Sequence, residues 1–262
     1  MNNRVIYTCI TGEYDKLTQP NVINDRFDYI CFVKKGTKTA DNIGIWQIKE
    51  LDFDHENNIV LSRYPKLMPH MVLQNYDYSL WIDGNITIND NFIYDVLEQK
   101  IKDNITFSGV KHGARDCIYD EAIACIDANK DKFKNILAIV KHLKRNNFPK
   151  HFGLNENNVI FRQHNDSKII AFSEMWWSLF MTYSKRDQLS GMFCLKTHNI
   201  PLDYLLPNGA NTRNHFAFCY IKHNPKEVKL SLLDKGLIFI KRIFKHINKI
   251  KVLFLKISLR NY

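Results

Sequence analysis

Only ten glycines and seven prolines occur among the 262 residues, which excludes collagen-like, low-complexity and largely disordered chains. No stretch reaches the roughly 18 apolar residues that a membrane span needs, because Lys and Arg interrupt every candidate. The opening MNNRVIYTCITGEYDKL has no apolar h-region and no small-residue cleavage site, so no secretory signal is expected. Six cysteines (Cys9, Cys31, Cys117, Cys125, Cys194, Cys219) form no CxxC pair and no zinc-like spacing. Most stand among apolar neighbours and read as small core residues of a reduced, cytoplasmic protein. None of the ten histidines makes an HExxH or HxxxH pair, so a zinc hydrolase is unsupported. There is no GxSxG elbow and no Walker A loop, and TGEYDK has one glycine where a Rossmann fingerprint needs three.

Acidic residues are also in deficit: Lys+Arg 37 against Asp+Glu 27 gives a formal charge of +10. That charge is concentrated. Residues 226–262 carry ten basic residues against Glu227 and Asp234, a net +8, which leaves +2 for residues 1–225. A nucleic-acid-binding domain spreads its basic residues over a folded face. The nearly neutral body therefore argues against a nucleic-acid partner. In the tail, Ile240, Phe244, Ile247, Ile250 and Phe254 recur at spacings of three and four among lysines and Arg242. That pattern predicts an amphipathic helix suited to an anionic membrane surface.

Hydrophobic residues make up 45% of the chain, enough for a full core. Arg4–Ile10, Tyr29–Val33, Trp46–Leu51, Tyr78–Ile82, Val159–Arg162 and Ile169–Phe172 read as strands from their β-branched and aromatic runs. Asn58–Leu73 (bent or restarted by Pro65 and Pro69), Asn91–Ile101 with Asp90 or Asn91 as cap, Tyr119–Ala128, Lys130–Arg145 and Glu174–Tyr183 read as helices. Strands alternating with helices predict an α/β sheet of mostly parallel strands. Residues 1–225 form its single domain, and 226–262 an appended basic helical tail.

Ligands of a parallel sheet gather at the carboxyl ends of its strands. Asp83 stands at such an end, after YSLWI, and Asp83 and Asn85 are placed to offer two oxygens to Mg²⁺ or Mn²⁺. Asp-Gly-Asn is equally the composition of a plain turn. Arg63 and Lys66, three apart, suit a diphosphate or a solvated helix face. Trp176 and Trp177, followed by Arg186-Asp187-Gln188, suit a sugar pocket or a core with a local ion pair.

Seven segments in order, IYTCITGEYDKL, DYICFV, SRYPKLMPH, YSLWIDGNITI, CIYDEAIAC, GLNENNVIFRQHN and WWSLFMTYSKRDQLS, span about Ile6 to Leu189. Together they resemble a glycosyltransferase-like family first catalogued as a domain of unknown function, found in bacterial polysaccharide loci and plant Golgi proteins. The resemblance implies a GT-A-like nucleotide-binding fold. Asp83 and Asn85 then match the DxD-type metal motif, with Mn²⁺ or Mg²⁺ as cofactor and Asn85 one negative charge short. Thr8, Thr11 and Tyr14 match the first strand–loop that holds the nucleotide, and Arg63 and Lys66 the basic pair near the donor diphosphate. Asp187-Gln188 resembles the pair that retaining enzymes place near the anomeric carbon. His223 or His215 would supply a third metal ligand.

The function so implied is transfer of a sugar from a nucleotide-sugar donor to a cell-surface glycan of capsule, O-antigen or lipopolysaccharide type, on a lipid-linked acceptor. The retaining course is favoured, and Asp187 is the base if the reaction inverts. Such a protein would work at the inner face of the membrane, held there by its tail. A catalytically inactive glycan- or nucleotide-binding module on the same scaffold is the alternative that Asn85 favours, and a basic nucleic-acid-binding protein, which the +10 alone would suggest, ranks behind it.

Overall fold

The computed structural model describes residues 3–12 and 15–221; the basic tail lies outside them. The RVIYTCI run is strand β1 (Arg4–Ile10), buried without interruption from Val5 to Cys9. A strand with no solvent face belongs inside a sheet covered on both sides. β1 indeed sits at the centre of the main sheet. The remaining strands are β2 (Asp28–Val33), β3 (Asn42–Ile43), β4 (Trp46–Glu50), β5 (Tyr78–Ile82), β6 (Ile86–Ile88), β7 (Phe107–Ser108), β8 (Val159–Arg162) and β9 (Phe218–Tyr220). The helices are α1 (Asn58–Leu67), α2 (Pro69–Val72), α3 (Phe92–Lys102), α4 (Ile118–Asp127), α5 (Phe133–Arg145), α6 (Ser167–Thr182) and α7 (Gly191–Thr197).

The sheet order is β3-β4-β2-β1-β5-β8-β7, with β6 and β9 paired separately. The contiguous strands β4, β2, β1 and β5 are parallel, while β3 and β8 run antiparallel to their neighbours. This is the mostly parallel α/β sheet expected. Alternation along each strand divides the core. Val5, Tyr7, Cys9, Phe32 and Trp81 face one layer with α1 and α4 to α7. Ile6, Cys31, Leu80 and Ile82 face the other, with α3 and the β6–β9 pair. Five cysteines are buried in these layers, and all six are free. Among the described residues no helix is long and apolar enough to cross a membrane.

The segment Ile169–Phe172, expected as a strand, is instead the start of α6. Asp166 caps it, its Oδ1 accepting from the backbone N–H of Lys168 (2.9 Å) and Ile169 (3.2 Å). Ile169, Phe172, Trp176 and Phe180 then fall on one buried face at spacings of three and four. The Asn58–Leu73 helix does break, though at Met68 and not at Pro65, which stays inside α1. Pro69 opens α2 at the position where its missing N–H costs nothing. Asp90 is the side chain that caps α3, accepting from the N–H of Phe92 at 2.9 Å.

Candidate functional site

β5 delivers Asp83 at its carboxyl end, on the same face as Trp81, whose indole Nε1 donates to Asp83 Oδ1 at 2.7 Å. The last turn of α1 brings Lys66 to the same oxygen at 3.2 Å. From the other side, a 3₁₀ turn after α6 (Asp187–Leu189) presents Asp187, whose Oδ2 lies 2.8 Å from the Lys66 ammonium. Arg63, one turn earlier on α1, stands with its Nε 3.8 Å from that oxygen. Four side chains from three distant segments thus meet at the end of the central strands.

Burial sharpens the electrostatics. The Lys66 and Asp187 side chains are only 2% and 5% exposed, while Arg63 and Asp83 keep 22% and 25%. Burial alone would raise the Asp187 pKa, but Lys66, then Arg63 and Arg186, outweigh it and hold the carboxyl well below the usual range. Burial likewise works against the Arg63 charge, and Asp187, Asp83, Cys9 and Asp15 more than restore it. Asp187 and Arg63 are therefore held in their charged forms, and of the two cations Arg63 is the one nearer solvent.

The backbone around these groups is held as tightly. Trp176 is fully buried and donates through Nε1 to the carbonyl of Asp187 at 2.9 Å, so it orients that turn from the core and lines no sugar pocket. Arg162, with no exposed surface, donates from one terminal nitrogen to the Lys66 carbonyl (2.7 Å) and the Tyr7 hydroxyl (2.6 Å). It thereby ties β8 and β1 to the end of α1. Gly84 lets the first loop close over the Asp83 turn: a Cβ there would stand 2.4 Å from Ile10 Cδ1 and 3.5 Å from Asp15 Oδ2.

The other expected residues fall as follows. Asn85 occupies the third position of a turn closed by Ile86 N–H to Asp83 O (2.9 Å), and its Nδ2 donates to the Ile221 carbonyl at 3.1 Å. Thr11 donates its hydroxyl to the Asn58 carbonyl (2.9 Å), joining the β1 loop to the start of α1. Thr8 is buried inside β1, its hydroxyl without a hydrogen-bond partner among the described residues. Arg186 donates to Gln188 Oε1 at 3.0 Å, not to Asp187, and Gln188 donates to the Asn155 carbonyl at 3.3 Å. Trp177 is half-buried in an edge-on aromatic group with Phe53 and Tyr64, ring centres 5.7 and 5.4 Å away. His215 packs on Phe92 and Phe216. Tyr14 and His223 lie outside the described residues.

Two buried charges escaped the sequence reading: Glu121 on α4 and Arg162 on β8. Each breaks an otherwise apolar face, which is the one local signal that marks them. Asp15 beside Gly84 escaped too, in a loop without periodicity.

No group of three or more His, Cys, Asp or Glu side chains suited to a metal occurs among the described residues. The donors present fit a divalent ion only in the manner of Mg²⁺ or Mn²⁺, which take one or two carboxylates and complete their shell with water and phosphate.

A family model described as TOD1/MUCI70, glycosyltransferase-like domain, matches residues 1–223. The chain is 25% identical over 212 residues to a probable hexosyltransferase MUCI70 of Arabidopsis thaliana. That match takes in 71% of this chain and 36% of the relative, so the chain spans little more than a third of the curated protein's length. Among solved structures it is similar to core-mannan synthase A (CmsA/Ktr4) of Aspergillus fumigatus in its Mn/GDP form. The TM-score there is 0.44 at 11% identity, over 78% of this chain and 73% of that one. It is also similar to the apo form of the bifunctional glycosyltransferase WbbM, with TM-score 0.40 at 12% identity, over 77% and 38% of the two chains.

Proposed function

The chain belongs to the TOD1/MUCI70 glycosyltransferase-like family, and from that premise we propose that it moves a sugar from a nucleotide-sugar donor to a glycan acceptor. The observation that carries this reading is the Lys66 ammonium held between Asp83 and Asp187 with Arg63 beside it. The difficult step is departure of a nucleoside diphosphate, on which negative charge develops. Arg63 and Lys66, already fixed and largely dry, stabilise that charge without reorganising. Asp83, with Asn85 and His223 as further candidates, would hold a divalent ion that adds charge neutralisation at the same diphosphate.

Asp187 serves this reaction as an anchor. A carboxylate held so far below its usual pKa is a weak base, and its Oδ2 is committed to Lys66. It therefore sets the position of Lys66 and does not take the acceptor's proton, which favours a retaining course. The basic tail supports an acceptor presented at an anionic membrane face, as for a lipid-linked cell-surface glycan. Asn85, whose amide nitrogen is spent on Ile221, favours a second reading: a binding module of the same build without turnover.

A thermal-shift screen of UDP- and GDP-sugars, with and without Mn²⁺, tests the proposal. Stabilisation by at least one donor in the wild type, reduced in Lys66→Ala, supports it, because a ligand raises apparent stability by mass action. No shift with any donor overturns it. Slow hydrolysis of the bound donor separates the enzyme from the binding module.

A further inference from the structure

Beside the Asp187 turn lies a second buried charge that the proposed diphosphate chemistry does not use. Glu121, in the first turn of α4, has a side chain only 6% exposed, and its Oε2 accepts from Arg115 Nε at 2.7 Å. Among the described residues its Oε1 receives only the weak Cys125 thiol donor at 3.4 Å. His112 completes the group, its Nε2 3.7 Å from Glu121 Oε2. His112 Nδ1 accepts from the backbone N–H of Ala114 (3.1 Å) and Arg115 (3.0 Å). Its Nε2 also lies 3.4 Å from Arg115 Nη2, so the ring packs on the Glu121–Arg115 pair, and burial disfavours its charged form.

This cluster is continuous with the site. Helix α4 packs against the 3₁₀ turn that carries Asp187, and the charge of Arg186, adjacent to Asp187 in the chain, favours the thiolate of Cys125, one helical turn past Glu121. Arg186 also donates to Gln188 Oε1 at 3.0 Å. Glu121 and Cys125 thus line the face of α4 turned toward the Asp187 turn. Arg115 keeps a third of its side chain exposed, and Arg186 and Gln188 are half-buried, so the cluster opens on that side.

Its electrostatics select a ligand. An anion entering here would meet the Glu121 carboxylate, and a cation would meet Arg115 and Arg186. A neutral polyhydroxyl suits both, because each hydroxyl donates to a carboxylate while accepting from a guanidinium. Asp187, the residue after Arg186, is the carboxylate that holds the diphosphate cations Lys66 and Arg63, and the donor's hexosyl ring is bonded directly to the diphosphate. We propose that Glu121, Arg115 and Arg186 form the subsite that recognises the hydroxyls of the donor sugar, with Glu121 and Arg115 determining which sugar is accepted. The inference rests on the glycosyltransferase reading.

The test is calorimetry of the full chain with UDP and GDP against UDP-glucose, UDP-galactose and GDP-mannose. In the wild type one sugar nucleotide binds more tightly than its bare nucleoside diphosphate. Glu121→Gln should weaken that sugar nucleotide about tenfold, the equivalent of one charge-assisted hydrogen bond, and leave the bare nucleotide within about twofold. Arg115→Lys, on the open side of the cluster, should show the same selective loss and decides the matter if Glu121→Gln fails to fold. Equal weakening of both ligand classes, or of neither, overturns the subsite while the glycosyltransferase reading stands. A wild type that gains nothing from the sugar does the same. A wild type that binds none of the five nucleotides overturns both.

Discussion

The Lys66 ammonium lies 2.8 Å from Asp187 Oδ2, and both side chains are almost wholly out of water. Removing one member of such a pair strands the other in the interior. Lys66→Met is expected to lower unfolding free energy by about 3–5 kcal/mol, whereas Lys66→Met with Asp187→Leu should recover much of that loss. Urea denaturation of the two single variants and the double variant measures the coupling. Additive losses would show that the ion pair has no part in holding the site.

Asp83 differs, since a quarter of its side chain meets solvent and its partners survive its neutralisation. Asp83→Asn keeps an oxygen for the Trp81 indole and removes the charge a divalent ion would need. The fold should hold within about 1 kcal/mol. Any extra thermal stabilisation that Mn²⁺ adds to nucleoside diphosphate binding should vanish. Persistence of the Mn²⁺ effect in this variant would remove Asp83 from the metal site.

Much of this was legible because burial on both faces forces a distinctive composition. β1 and β5 are continuous apolar runs, and both were expected to the residue. Ile169–Phe172 misled because four apolar residues fit a buried strand and a helix face equally well. The deciding signal was Asp166, a cap three residues earlier. Asp83, Lys66 and Asp187 could be named singly from sequence, but their meeting depends on β5 pairing with β1 and on α6 packing beside α1. Glu121 and Arg162 were missed because a charged residue type implies solvent, and only the fold shows it dry. Tertiary placement of charge is what the linear pattern does not carry.

Arg162 gives a sharper contrast between stability and function. It is fully buried with no carboxylate partner among the described residues, and burial pulls its pKa down. Replacing a buried charge by an apolar residue is often neutral or stabilising by about 1–4 kcal/mol. Leaving the Tyr7 hydroxyl and the Lys66 carbonyl without their donor costs about 1–3 kcal/mol each, so Arg162→Met should end near or modestly below wild-type stability. Because Lys66 loses its backbone tether, UDP or GDP affinity should still fall about tenfold. In a Lys66→Ala background the same change should cost no affinity. An equal cost in both backgrounds would show that Arg162 does not act through Lys66.

Acid sensitivity should begin above the carboxylate range. His164 is buried and donates through Nε2 to the Leu73 carbonyl at 2.9 Å. Burial, partly offset by that bond and reinforced by Arg162 and His70, pushes its pKa down from 6.5 to about 4. The folded state therefore keeps it neutral where the unfolded chain binds a proton. Stability contributed by His164 is complete above pH 6.5 and is lost progressively as pH falls toward 4. His164→Gln keeps a donor for Leu73 and removes the titration, so its melting temperature should fall less between pH 7 and 5. Parallel pH profiles for variant and wild type would exclude His164 as the source.

The charge of the last 37 residues, net +8, bears on where the chemistry is done. Their structure lies outside the described residues, so the case rests on pattern: apolar positions from Ile240 to Phe254 at helical spacing, with Lys241, Arg242, Lys245, Lys249 and Lys256 among them. Each basic residue near an anionic surface is worth about 1 kcal/mol, and buried apolar area adds to it. We predict that the full chain sediments with vesicles containing phosphatidylglycerol, less so as salt rises, and that removing residues 233–262 abolishes it. The truncated chain should keep its melting temperature and its affinity for UDP or GDP, because the site at Lys66, Asp83 and Asp187 is built within residues 1–225. Unchanged vesicle binding after truncation would refute docking through the tail. A truncated chain that loses nucleotide affinity would instead assign those residues to the site itself.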